Sequence, residues 1–219
     1  MKVKNFLAMA AITLCTAACS DGNDVKPPTS EGVKNMEVLC NYAEWSYINL
    51  RTGDVKNVTV EGPWKYITDK TEIADTKNPE INGEVPTEWD IAIHQYEIRT
   101  NNSEAVQTSF KDFKEVVTLP TTGFVKDHTV KAEDKKLIVD MSNMMKGQVG
   151  YADGTLNAEL CKWITKTPTG KMPPFEYTIT DNVYIVKCAN GNWAKLKFSD
   201  HLNGAGKKAV KFAYEYMSK

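Results

Sequence analysis

Histidine is scarce in this chain, and so are the residue arrangements that catalysis or metal binding would announce. Only His94, His128 and His201 occur in 219 residues, far apart from one another. No G-x-S-x-G, H-E-x-x-H, phosphate-loop or Gly-rich dinucleotide motif is present, and the reading is of a protein that is not an enzyme. Carboxylates are plentiful, but a hydrolase would need them clustered in a cleft, which a sequence cannot pair across a β fold. With 13 glycines and 9 prolines the chain is neither collagen-like nor low in complexity. The formal net charge is −1, so no basic nucleic-acid surface is indicated. What remains is a globular chain, 42% hydrophobic, long enough to bury one substantial core.

The first segment reads as an address. Lys2 and Lys4 precede the apolar run Phe6 to Ile12, and small residues lead up to Cys19, the layout of a secretory signal peptide too short to span a bilayer. The stretch Thr16-Ala17-Ala18-Cys19 resembles a bacterial lipobox, in which cleavage after residue 18 leaves an acylated Cys19 at the new terminus. Leu14 makes Cys15 a poorer candidate, and plain cleavage without acylation is the alternative. Beyond the cut, 25 basic and 28 acidic side chains give a net charge of −3, and no electrostatic partner follows. Each acyl CH₂ buried in lipid is worth roughly 0.8 kcal/mol, so Cys19 would anchor the protein without its crossing the membrane. The expected organisation is therefore a signal peptide over 1–18, a lipidated Cys19 with a polar tether over 19–32, and one domain over 33–219. Asp21, close behind the cysteine, resembles the export tethers of surface lipoproteins. Cys40, Cys161 and Cys188 remain; none has zinc spacing, an odd number cannot all pair, and buried free thiols are expected, with at most one disulfide as the alternative.

The folded part reads as mostly β, antiparallel sheets packed together with one or two short helices. Trp89 to His94 alternates, placing Trp89, Ile91 and Ile93 on one face with Asp90 and His94 on the polar other, and the run is predicted to continue through Tyr96 and Ile98. His94 and His201 are thereby assigned ordinary surface or structural roles. Leu137 to Met141 and Tyr177 to Thr180 are further strands. Asn190-Gly191 suits a two-residue type I′ turn, which would set Ile185 opposite Leu196 and Val183 opposite Phe198 on the core face. Val210, Phe212, Tyr214 and Tyr216 share a face of a terminal strand. Asn157 can cap a short helix over Ala158 to Ile164.

Six methionines lie beyond the signal, and most should be core filler. Met172 differs, because it stands in the polar loop from Thr165 to Pro174, where Pro173 biases it to an extended conformation that holds it out of the core. Met144 and Met145 likewise follow a strand and precede a loop rich in glycine. Two loops, each offering a thioether, suit either a soft-metal or haem site or a surface that docks on a protein partner.

Taken together, Trp89 to His94 with Arg99-Thr100-Asn101, Val139 to Met145, Lys171-Met172-Pro173-Pro174 and the C-terminal hairpin with its Tyr-rich strand resemble the HmuY family of lipid-anchored haem-binding proteins. The likeness runs from about Val38 to Tyr216. It implies a hand-like, mostly β fold that holds haem b between two loops. It further implies transfer to a TonB-dependent outer-membrane haem receptor, and an outer-membrane location at the cell surface or in released vesicles. The family's founding member uses two axial histidines; neither loop here contains histidine, and other members carry methionine there. Matching loop to loop assigns Met145 and Met172 as the axial pair, with Met144 the fallback for the first.

Tyr151, Phe175 and Trp163 are near enough in sequence to form apolar walls, and Lys146 and Lys171 to meet the propionates. A thioether is soft and uncharged, favours ferrous iron, and has no proton to gain in mild acid. The competing reading is a surface lipoprotein that binds glycan or host protein through Trp45, Trp64 and Trp163 without haem. Self-association into a homo-oligomer is left open by the sequence.

Overall fold

The computed structural model describes residues 28–219 apart from 189, 205 and 206, together with all side chains in that range except those of 203–207. The signal segment 1–18, Cys19 and the tether as far as residue 27 lie outside the described residues. Strand Thr29–Leu39 begins inside the expected tether, so residues 29–32 are sheet and not linker.

A six-stranded antiparallel sheet forms the largest unit, in the order Thr29–Leu39, Lys207–Ser218, Trp193–Gly204, Tyr184–Lys187, Glu104–Gln107, Val125–Lys126. Its inner face carries Val210, Phe212, Tyr214 and Tyr216, as the alternation predicts, and packs on Ile48, Leu50, Ile91, Ile93 and Ile98. Apart from Leu50, in the turn after Glu44–Ile48, those residues belong to a four-stranded sheet ordered Val55–Thr59, Glu44–Ile48, Ile91–His94, Glu97–Thr100. The opposite face of that second sheet presents Trp45, Tyr47 and Ala92 to Val130, Leu137, Val139 and Ala152. Covered on both sides, Ile91–His94 is buried at every position. Alternation cannot assign the faces of a strand with no solvent side.

Two sequence expectations change here. The run from Trp89 to Ile98 is a hairpin and not one strand: Gln95, at φ +52°, turns the chain so that Ile93 pairs with Ile98. His94 is fully buried, with Nε2 2.6 Å from the Tyr42 carbonyl and Nδ1 3.2 Å from Glu97, so its role is structural. The second change is the register of the Asn190-Gly191 hairpin. Tyr184 pairs with Leu196 and Ile185 with Lys195, one residue from the expected alignment. Cys188 N donates to Asn192 O and Gly191 N to Cys188 O, closing a three-residue loop whose last member, Gly191, takes φ +80°. A one-residue slip exchanges the faces, and here both are covered: Tyr184 and Leu196 join the inner core, while Ile185 and Trp193 pack with Phe113, Val116 and Val183 on the outer side.

A third sheet, ordered Ile138–Asp140, Gln148–Tyr151, Trp64–Thr68, Ile73–Lys77, and two strand pairs complete the β structure of the described residues. Helical structure there is confined to four 3₁₀ turns, Phe113–Glu115, Ala132–Asp134, Met144–Lys146 and Leu160–Trp163. The helix expected over Ala158 to Ile164 is only the last of these turns, with Ile164 opening a strand, but Asn157 does hold its start, Oδ1 accepting from Glu159 N and Leu160 N at 3.1 Å each.

Candidate functional site

The first methionine loop joins Ile138–Asp140 to Gln148–Tyr151, and its entrance is fixed by one carboxylate. Asp140 accepts from Ser142 N at 2.8 Å and Ser142 Oγ at 2.9 Å, while the Tyr66 hydroxyl, from strand Trp64–Thr68 on the far side of Gln148–Tyr151, donates to it at 2.6 Å. Burial pushes the Asp140 carboxyl up, but these hydrogen bonds outweigh it and hold the group below the usual range. Gly150 pairs with both Asp140 and Tyr66 across the ladders. A Cβ there would come within 3.1 Å of Asp140 Cβ and 3.3 Å of the Tyr66 ring, so glycine is what lets the phenol reach across.

Beyond Ser142 the backbone closes a single 3₁₀ turn, with Lys146 N donating to Asn143 O at 2.8 Å and Gly147 N to Met144 O at 2.9 Å. Gly147 ends it at φ +72°. On this turn Met144 is 50% exposed and Met145 92%.

The second loop is the tip of a separate hairpin, Ile164–Pro168 with Phe175–Ile179, in which Pro168 faces Phe175. Thr169 organises the tip: its N donates to Pro174 O at 3.0 Å, and its hydroxyl lies 2.9 Å from Lys171 O and accepts Lys171 N at 3.3 Å. Met172 stands outside this knot, 84% exposed. Both assigned methionines are thus displayed by ordered backbone. Lys146 and Lys171, each next to one of them, are exposed as well.

The expected walls are placed differently. Tyr151 and Phe175 are half-buried, with the Lys166 ammonium 4.1 Å from the Phe175 ring centre. Trp163 is completely buried, its Nε1 donating to the Tyr96 carbonyl at 2.9 Å, and is core rather than wall. Its proximity to the loops in sequence misled, because the 3₁₀ turn points it inward among Leu160, Phe198 and Ile98. Burial also removes Trp45 and Trp163 as an exposed glycan platform, and Trp64 is half-buried with Nε1 bound to Val60 O at 3.1 Å.

Sequence reasoning missed the residues under the second hairpin. Tyr177 stacks on Tyr96 at 5.3 Å with rings 7° from parallel, their hydroxyls 2.9 Å apart, and His201 lies against both. These three come from distant segments, and no local signal links them. Cys40, Cys161 and Cys188 are all free thiols; Cys40 and Cys188 are buried as expected, and Cys161 is half-buried. Cavities of about 410 Å³ occur elsewhere, one beside Asn49, Trp89 and Asn101 and another beside Phe113 and Lys114. Among the described residues no group of three or more His, Cys, Asp or Glu is placed to hold a metal ion.

The HmuY protein family model matches residues 41–216. The chain belongs to the HmuY family. HmuY proteins are binding proteins rather than enzymes, and membership points to haem as the ligand. Among solved structures, an apo HmuY analog from Tannerella forsythia is 30% identical, with a TM-score of 0.73 over 90% of this chain and 100% of that one. Apo PinO from Porphyromonas gingivitis is 34% identical, with a TM-score of 0.70 over 86% of this chain and 98% of its own. A candidate HmuY-like heme binding protein from Bacteroides vulgatus is 28% identical, with a TM-score of 0.63 over 83% and 90%. The mostly β, HmuY-type fold expected from the sequence is therefore the fold observed. The search of curated proteins found no match. Among the described residues no helix is long and apolar enough to cross a membrane.

Proposed function

We propose that this protein captures haem b by clasping its iron between the thioethers of Met145 and Met172, Met144 standing in for Met145 if the first loop rotates. The single observation that carries the reading is the display of these two side chains, 92% and 84% exposed, on the tips of separate ordered loops in a chain of the HmuY family. An exposed thioether is free to meet a ligand, and a soft neutral sulfur is a suitable axial donor for haem iron. Lys146 and Lys171 supply cations beside each donor, and Phe175 and Tyr151 supply aromatic edges for a flat apolar ligand. Anchored through an acylated Cys19 at the outer-membrane surface, the protein then passes its cargo to a TonB-dependent haem receptor. Two thioether bonds are weak enough to permit that release.

Mixing the protein with haem and recording its absorption, oxidised and reduced, tests the proposal. A shifted Soret band that disappears in the Met145→Ala/Met172→Ala double variant is the expected result. An unchanged spectrum in that variant would remove the methionines from the site.

A further inference from the structure

The hairpin that carries Met172 is a two-stranded sheet by itself: Ile164–Pro168 and Phe175–Ile179 pair with each other and with no other strand among the described residues. Among the described residues no ladder hydrogen bonds tie it to the body, so beyond the covalent chain its attachment there rests on side chains. Those side chains converge on one histidine. The His201 ring centre is 4.6 Å from Tyr96, 5.7 Å from Tyr177 of the hairpin, and 6.1 Å from Trp163 at the hairpin's root. Trp163 in turn holds Tyr96 through its indole and Thr180 N through its carbonyl at 2.9 Å. We propose that His201 is a positioning residue that latches the Met172 hairpin to the body, and that its protonation opens the latch and loosens one side of the haem site.

The chemistry lies in what His201 does not touch. Its Nδ1 is buried and has no hydrogen-bond partner among the described residues. A neutral ring tolerates that position, whereas an imidazolium would carry an N–H with no acceptor into a nest of three rings. The aromatic faces offer little compensation, because they meet the ring at tilts of 40° to 62° and the Lys166 ammonium already lies 5.6 Å from the Tyr96 ring centre. The charged and titratable groups around the nest are Asp200 on the same strand, Lys208 on the adjoining one, Lys166 and Tyr177 on the hairpin, and Tyr96, Glu97 and Tyr42 on the body. Burial lowers the basicity of His201, with Lys208 adding to that effect and Asp200 opposing it.

The sign follows from proton counting. The docked hairpin disfavours the protonated His201 ring, and the undocked one returns it to water, where it protonates near the ordinary value of about 6.5. Docking is therefore indifferent to pH above roughly 7 and weakens below about 6.5, by at most about tenfold per pH unit for one proton. Haem affinity follows, because the competent fraction of the hairpin falls. That consequence rests on the haem reading above, whereas the latch itself does not. Haem binding thereby depends on pH in mild acid, although neither sulfur titrates.

The test has a haem-free arm and a haem arm, each run from pH 7.5 to 5 on the wild type and on His201→Phe and His201→Gln. Without haem, a one-proton change in the Tyr177 resonances and in Trp163 fluorescence is expected in the wild type and absent from a folded variant. With haem, wild-type affinity should fall severalfold to tenfold from pH 6.5 to 5.5 relative to His201→Phe. If the wild type shows no transition in the haem-free arm, or if wild type and a folded variant lose haem in parallel, the latch is overturned. Failure of both variants to fold leaves the wild-type histidine titration to decide: a His201 resonance that titrates without moving Tyr177 also overturns it. Absence of any Soret shift at every pH would instead sink the haem reading, and the haem-free arm would still decide the latch.

Discussion

Lys195 and Glu215 form an ion pair of 2.8 Å on the outer side of the six-stranded sheet, their side chains only 6% and 13% exposed. Lys195 also donates to the Phe113 carbonyl at 3.0 Å, which ties the outer 3₁₀ turn to the sheet. Removing one partner strands the other. Lys195→Met should lower stability by about 2 kcal/mol, a midpoint shift readable in urea, while Lys195→Met/Glu215→Gln recovers part of the loss. Burial raises the Glu215 carboxyl, but its hydrogen bonds from Lys195 and Ser30 bring it below its ordinary value. Its stabilisation is accordingly complete above the ordinary glutamate range and lost as pH falls through the lowered one, and the double variant should show a shallower acid transition. Equal acid transitions in the two proteins would refute this.

Asn157 is completely buried and uses both ends of its amide. Besides capping the Leu160–Trp163 turn, its Nδ2 donates to the Val125 carbonyl at 2.9 Å and to Asp127 Oδ1 at 3.0 Å. Asn157→Ala leaves several of these groups unmatched, and a loss of about 2–3 kcal/mol is expected in chemical denaturation. Asn157→Asp restores the cap but sets a carboxylate against Asp127, and should be no better at neutral pH.

The first methionine loop depends on the contact between Tyr66 and Asp140. Gly150→Ala places a methyl between them and should loosen the loop, raising amide exchange at residues 142–147 and weakening haem binding severalfold. Tyr66→Phe removes one hydrogen bond and should move the same amides less. If exchange in the loop is unchanged by Gly150→Ala, Asp140 does not organise it.

Thioether ligation carries a redox signature. Ferrous haem should bind more tightly than ferric haem, and each single variant, Met145→Ala or Met172→Ala, should lose most of that preference. A Met145→Ala protein that keeps the wild-type ferrous spectrum would point to Met144 as the donor.

The three thiols should be inert in the folded protein. Burial pushes Cys40 up to about 11 and Cys161 up to about 12, and raises Cys188 as well, leaving almost no thiolate at neutral pH. Alkylation at pH 7.5 should be slow until denaturant is added, when all three react. Rapid labelling of any one in native conditions would contradict the burial.

Turn chemistry at Asn190-Gly191 identified a hairpin without fixing its length, because Gly191 serves a three-residue loop as readily as a two-residue one, and that residue decides which face each side chain occupies. The alternation of Val210 to Tyr216 was legible in advance, since hydrophobic and polar positions truly alternate there. From Ile91 to His94 it was not, because both faces of that strand are covered.

By itself the sequence determined the mostly β class and the displayed thioethers, which follow from local patterning and composition. Only tertiary structure decided that Trp163 is core, that His94 is buried and that Tyr96, Tyr177 and His201 meet. Contacts between segments a hundred residues apart are set by how sheets stack, and the free energy of burial that drives stacking is a property of the whole chain rather than of any stretch of it.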